Sequence, residues 1–328
     1  MKNLKRIAAL ALCGLATIGM CACTSKSAVS DEKTFTVGIC QLVEHEALDA
    51  ATKGFKDTLT EKLESAGYKV EFKEQSAQGD PATCTTIING YVSSNVDLIL
   101  ANATAPLQSA AAGTTTIPIL GTSVTDYASA LDIDDWTGTT GRNISGTSDL
   151  APLSEQAAMI KELFPDAKTV GILYCSGEAN SQYQADVVKD ELEALGFTCE
   201  LYSFVDTNDV ATVTTNAAEN SDVIYIPTDN TAASNTGVID NICRPAGVPI
   251  VAGEQGICTG CGVATLSIDY YDLGCTTGEM AYDILVNGKD VSTMEVQFAP
   301  NVTKKYNAEI CKDLGIEIPE GYEAIVTE

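Results

Sequence analysis

What most constrains the fold is a repeated alternation of short, continuously apolar runs with segments patterned as helices. Residues 36–41 form one such run, and Leu48, Ala51, Phe55, Leu59 and Leu63 then recur at helical spacing through 47–66. Gly67 closes that helix, and 68–72 alternates as a strand. The spacing next predicts a helix over 81–93, a strand over 96–103, a short helix over 106–112 and a strand over 117–121. After 143–149 the same grammar restarts: helix 153–164, strand 169–175, helix 182–195 ended by Gly196, strand 199–205, helix 210–220, strand 222–227, helix 232–243 and strand 248–253. Runs that are apolar on both faces belong to parallel sheets covered on two sides. Each half carries a helix ended by a Gly-aromatic pair, Gly67-Tyr68 and Gly196-Phe197. The expected fold is therefore α/β, two doubly wound Rossmann-like lobes. A single sheet of about ten strands is the weaker alternative, because sheets of that size are uncommon.

The N-terminus indicates the compartment. Lys2, Lys5 and Arg6 precede an apolar run over 7–20, too short for a membrane span of roughly 20 residues, and Met20-Cys21-Ala22-Cys23 leads into a small, polar stretch. This reads as a signal peptide over 1–22, a lipid-bearing Cys23 and a tether through residue 33, although Met20 and Cys21 depart from the usual lipoprotein box. Plain secretion is the alternative. The expected location is the outer face of the cell membrane or the periplasm, held by lipid.

The whole chain of 328 residues carries a net charge of −26. Cleavage would remove three cations and no acid, leaving about −29. Such acidity argues against nucleic acid as a partner. Of twelve cysteines, nine would remain as thiols after cleavage and lipidation of Cys23, so they cannot all pair internally. Cys258-Thr259-Gly260-Cys261 is the one CxxC. It has no second pair and no nearby histidine to complete a zinc site, so it reads as a disulfide or as buried thiols in a loop beside Glu254. No metal and no cofactor are expected.

In open parallel sheets, ligands sit beyond the carboxyl ends of strands. That selects Gln41 to His45, Thr104, Ser123, Asp126, Glu178, Asn180, Asp229 and Glu254. The set is rich in hydroxyls, amides and carboxylates: helix N-terminal Ser or Thr can take a carboxylate, and Asp or Glu an ammonium. A zwitterion fits this division. The competing readings are structural: Thr104 and Ser123 as caps or turn residues, Asp229-Asn230 as a helix cap, and His45 as a hydrogen-bonded surface group. Enzyme signatures are missing. There is no Gly-x-Gly-x-x-Gly after a strand, no Walker lysine and no Gly-x-Ser-x-Gly elbow, and any triad would have to use the single histidine, His45.

Seven motifs carry a resemblance. They are Gly38-Ile39-Cys40-Gln41-Leu42-Val43-Glu44-His45-Glu46-Ala47-Leu48-Asp49, Gln75-Ser76-Ala77-Gln78-Gly79-Asp80, Val124-Thr125-Asp126, Gly146-Thr147-Ser148-Asp149, Glu178-Ala179-Asn180-Ser181, Pro227-Thr228-Asp229-Asn230 and Asp269-Tyr270-Tyr271-Asp272-Leu273-Gly274. In this order, over about 37–319, the chain resembles the tryptophan/tyrosine-type substrate-binding lipoproteins of ABC transporters. The resemblance implies a type I periplasmic-binding-protein fold, two lobes joined by three crossovers and closing by hinge motion. Lobe 1 would take 34–149 plus about 273–301, and lobe 2 would take 150–272 plus about 302–328. The crossovers would fall near Asp149, near Asp272 with 278–286 a helix returning to lobe 1, and after about Asn301.

It further implies that Thr104, Ser123 and Asp126 hold or orient a ligand carboxylate and that Ser148 and Asp149 lie at the crossover. Glu178, Asn180, Asp229 and Glu254 would meet the ammonium and remaining polar groups. The favoured ligand is an aromatic amino acid, with Tyr127, Tyr174, Tyr183 and Tyr225 near strand ends as candidates to stack on its ring. The implied partners are an ABC permease with its ATPase, for a chain that acts as a monomer and catalyses nothing. Two alternatives stay open: the sensing subunit of a membrane receptor, and an extracellular hydrolase using Cys40 or His45.

Overall fold

The computed structural model describes residues 33–299 and 301–326. The expected signal over 1–22, the lipid site Cys23 and the tether through residue 32 lie outside them. The first half runs β1 (Thr34–Gln41), α1 (Glu46–Ser65), β2 (Lys69–Ser76), α2 (Pro81–Ser93), β3 (Leu98–Asn102), α3 (Thr104–Gly113), β4 (Ile119–Val124), α4 (Tyr127–Ala130) and β5 (Ile144–Ser148). The second runs α5 (Leu153–Leu163), β6 (Thr169–Cys175), α6 (Ala179–Ala194), β7 (Thr198–Phe204), α7 (Val210–Asn220), β8 (Val223–Ile226), α8 (Asn230–Ala233), α9 (Thr236–Ala246), β9 (Ile250–Ala252), α10 (Gln255–Cys261) and β10 (Ala264–Ile268). There follow α11 (Tyr270–Leu285), β11 (Gln297–Phe298), β12 (Val302–Tyr306), α12 (Ala308–Leu314) and β13 (Glu323–Ala324).

These strands form two sheets, ordered β11-β5-β4-β3-β1-β2 and β13-β12-β10-β9-β8-β6-β7. The first is parallel throughout, and the second is parallel from β10 to β7, with β12 antiparallel to β10. The five-strand arrangement β2-β1-β3-β4-β5 recurs as β7-β6-β8-β9-β10, so each lobe reverses direction between its first and third strands. Such a reversal opens a crevice at the carboxyl ends of the two strands that flank it. β3 is covered on both sides: Leu98 and Leu100 pack with Phe55, Leu59 and Met280, while Ile99 and Ala101 pack with Ile88 and Leu107.

The chain passes between lobes at 149–152, at Asp269 and between β11 and β12. The helix returning to the first lobe starts at Tyr270, capped by the Asp269 side chain, well ahead of the expected 278–286. It lies against α1 at backbone contact. A Cβ on Gly274 would stand 2.0 Å from the Ala51 carbonyl oxygen, and one on Gly54 2.1 Å from that of Tyr271. Glycine is required on both helices because the carbonyls themselves form the contact.

Other elements also differ from the sequence reading. The helix expected over 232–243 is two, α8 and α9, and the expected loop over 256–262 is α10, whose first turn is capped by Glu254. β5 carries no apolar run, yet all five of its residues are buried. Its hydroxyls find partners inside: Ser145 donates to the Met294 carbonyl, and Thr147 bonds Thr122 and Thr277. All nine cysteines among the described residues are free thiols, seven of them buried, including Cys258 and Cys261.

Replacing Gly274 by Ala forces α11 off α1 and is expected to lower stability by about 1–3 kcal/mol. The check is a urea-unfolding midpoint, with Gly90→Ala as the control, since a Cβ there meets nothing within 4 Å.

Candidate functional site

Between the lobes, at the carboxyl ends of β1, β3, β6 and β8, lies a cleft cavity of about 840 Å³. Those strands flank the two reversal points, so the cavity lies where both crevices face each other. One wall is Leu42, Val43, Thr104 and Ala105 with the start of α2; the other is Cys175, Glu178, Asn180, Asn230 and the 205–208 loop. Its only charged side chains are Asp80, Glu178 and Asp206, with no Lys, Arg or His. A ligand carboxylate must therefore be met by hydroxyls and backbone amides. The start of α3 offers both, because Ala103 at the N-cap, with φ of 102°, supplies no side-chain cap and Thr104 opens the helix on the cleft.

The expected residues separate into groups. Thr104, Glu178 and Asn180 line the cleft, and Asp149, Asp229 and Glu254 line a smaller cavity in the seam between the lobes. Gln41, Ser123, Asp126 and Ser148 line neither. Gln41 is occupied by the Val43 carbonyl, Asp49, Thr52 and Asn102; Asp126 caps α4; Ser148 donates to the Thr125 carbonyl. Ser123 sits with φ of 53° at the β4–β5 irregularity, its buried hydroxyl without a partner.

Glu178 acts across helices. Its two oxygens accept from the backbone N–H groups of Asn230 and Thr231 and from the side chains of Asn180, Asn230 and Thr231, closing the start of α8 onto α6. Asp229 caps α8 through Ala232 N–H and also accepts from Cys175 N–H at the end of β6. The tyrosines fall elsewhere. Tyr127 donates to the Thr147 carbonyl, Tyr225 bonds Gln156, and Tyr174 and Tyr183 pack against the second lobe's core. None lines the cleft.

The structural alternative for His45 is a hydrogen-bonded surface group. The residue is half-buried between the lobes instead, with Nε2 3.1 Å from Asn230 Oδ1. A second bond across the seam runs from Gln255 Nε2 to Glu46 Oε1 at 3.0 Å. Asp149, at the first crossover, accepts from Tyr270 at the second (2.9 Å) and from Thr125 (3.0 Å), so two of the three connections are tied by one carboxylate. The partner of His45 comes from the opposite lobe, and no local pattern could have marked it.

Residues 36–327 of this chain match the family model described as ABC transporter substrate binding protein. The chain belongs to that family. A curated relative, the tyrosine-binding protein of Clostridioides difficile, is 32% identical over 302 residues, 89% of this chain and 87% of its own. Two solved structures share the type I periplasmic-binding-protein fold. The ABC domain of Streptococcus pneumoniae in complex with L-Trp is 31% identical, with TM-score 0.83 over 89% of this chain and all of that one. A ligand-free, open substrate-binding protein with adhesive properties from Clostridium difficile is 35% identical, with TM-score 0.67 over 90% of this chain and all of that one. The more identical of the two superposes less well on this chain. The family is one of solute-binding proteins, working outside the cytoplasm, and not of enzymes. Among the described residues no helix is long and apolar enough to cross a membrane.

Closure strains the seam electrostatically. Burial pushes Glu254 up to about 7, against the Gly256 and Ile257 amides that favour its charged form. Burial and the nearby Glu178 raise Asp229 to about 7 as well, and burial raises Asp149. For a carboxyl raised above its ordinary value near 4, the stabilising contribution is complete below about pH 4 and is lost as pH rises through about 7. The ligand-free protein is thus expected to lose stability between pH 5 and 7.5, by at most about 1.4 kcal/mol per pH unit per group. Urea unfolding across that range checks the sign, and Glu254→Gln should flatten the profile.

Proposed function

We propose that this chain is the extracytoplasmic capture subunit of an ABC importer, held at the membrane by lipid on Cys23, and that its lobes shut on a free amino acid. What carries the reading is the cleft at the two reversal points, with an uncapped helix start on one wall and carboxylates with no basic partner on the other. This polarity suits a zwitterion: carboxylate toward Thr104 and α3, ammonium toward Asp229. An aromatic side chain is favoured by the relatives that bind tyrosine and L-Trp. Since no ring lines the cleft, it would lie against the aliphatic surface of Leu42, Val43, Ala105, Ala112 and Val205. Bound ligand stabilises the shut form only through contacts that need both lobes.

Thermal shifts of refolded, ligand-stripped protein against the twenty amino acids, sugars, nucleosides and peptides test the reading. A rise of several degrees confined to Trp, Tyr or Phe is expected, because a ligand that binds only the folded state stabilises it by mass action. A rise with a different class of solute would replace the ligand. Asp229→Asn should weaken amino-acid binding by about 1.5–3 kcal/mol in calorimetric titration, the worth of a charge-assisted hydrogen bond. An unchanged dissociation constant would remove Asp229 from the site.

A further inference from the structure

In the seam beside the cleft is a second cavity of about 10 Å³, sharing Asn230 with the larger one. That is room for a group the size of one water or one ammonium. Around it stand His45, Asp149, Asp229, Glu254 and Tyr270, with no Lys or Arg. The hydrogen-bond network fixes the state of the histidine. Asn230 donates through Nδ2 to Glu178 Oε2 at 2.7 Å, so it is the Asn230 carbonyl oxygen that faces His45. Nε2 must then carry the proton, which leaves Nδ1 as a lone-pair acceptor. Nδ1 is fully buried and has no hydrogen-bond partner. The charged groups that face it are all acids: Glu46 and Asp49 on α1 itself, Glu178 at the start of α6, Asp229 before α8, Glu254 before α10 and Asp149 in the crossover, while the donors nearby are turned elsewhere, the Tyr270 hydroxyl to Asp149, the Thr228 hydroxyl to the Gly253 carbonyl and the Asn230 amide to Glu178. Burial nevertheless holds the ring below its ordinary pKa and keeps it neutral, outweighing the pull of Glu178, Asp49 and Glu46.

An acceptor nitrogen without a donor, on a ring that lines a void of this size beside three carboxylates, complements a protonated amino group. We propose that His45 is a ligand-binding residue whose Nδ1 accepts a hydrogen bond from the ammonium of the bound amino acid, seated in the small cavity beside Asp229. The inference rests on the reading of the ligand as an amino acid. The same ring bonds the opposite lobe through Nε2, so recognition of the amino group and closure of the lobes meet in one side chain.

The test compares L-tyrosine, and L-tryptophan if it binds better, with the analogue lacking the amino group, by calorimetric titration. His45→Gln sets an amide N–H where Nε2 stood, keeping the bond to Asn230 while removing the Nδ1 acceptor. It is expected to cut affinity for the amino acid about tenfold or more, with little change for the analogue. His45→Asn, with an acceptor near Nδ1 but no reach to Asn230, should weaken both ligands alike. An independent readout needs no variant. His45 is the only histidine in the chain, so its imidazole nitrogen-15 signals in the untagged protein are assigned at once. The unprotonated nitrogen should move upfield with the amino acid and not with the analogue. An undiminished preference for the amino acid in His45→Gln, or a nitrogen signal that ignores the amino group, overturns the role of His45 alone. A wild type that binds no amino acid overturns the underlying reading as well.

Discussion

The seam between the lobes holds Asp149, Asp229 and Glu254 out of water with no Lys or Arg beside them, and the site is arranged around that constraint. Each carboxylate is held by groups that stabilise it in place: amides at the starts of α8 and α10, the Cys175 amide, and the hydroxyls of Thr125 and Tyr270. These donors offset part of the burial penalty and no more, since all three carboxyls stay above their usual range. A cationic group arriving between the lobes relieves what the protein leaves unbalanced. A ligand with such a group would favour the shut form by differential affinity, which a closing binding protein requires.

Geometry delivers the groups to one place through duplication. Two sheets with the same strand order place their reversal points opposite each other, so the starts of α3, α6 and α8 converge on one cleft. The crossovers set how the lobes meet. Tyr270 begins the helix that returns to the first lobe and bonds Asp149 at the first crossover, while the same helix is pressed onto α1, whose first residues carry His45 and Glu46 into the seam. The glycine contacts between α1 and α11 thereby help to fix the register of the residues that reach across.

Much of the architecture could be read from the chain. The apolar runs of β1, β3, β6 and β8 announce themselves because both of their faces are buried, and α1, α2, α5 and α7 follow from apolar spacing. β5 did not, because its small polar residues satisfy each other with partners far along the chain. α10 was read as a loop because Gly256, Gly260 and Gly262 have poor helix propensity; the Glu254 cap and the packing of Ile257, Cys258 and Cys261 override it. At the site, strand ends picked out Thr104, Glu178, Asn180, Asp229 and Glu254 but also Gln41, whose amide is consumed by its own lobe.

By itself the sequence determined the α/β class, the doubling of the lobes and the acidity of the residues at their strand ends, because hydrophobic period and strand-end chemistry are local properties. Tertiary structure alone decided that the tyrosines turn inward, that Glu178 serves to close α8 onto α6, and that His45 has one nitrogen bonded across the seam and the other buried and unpartnered. Those outcomes depend on which surfaces two lobes bring together, and contacts between residues 185 positions apart, such as His45 and Asn230, leave no periodic trace in the chain.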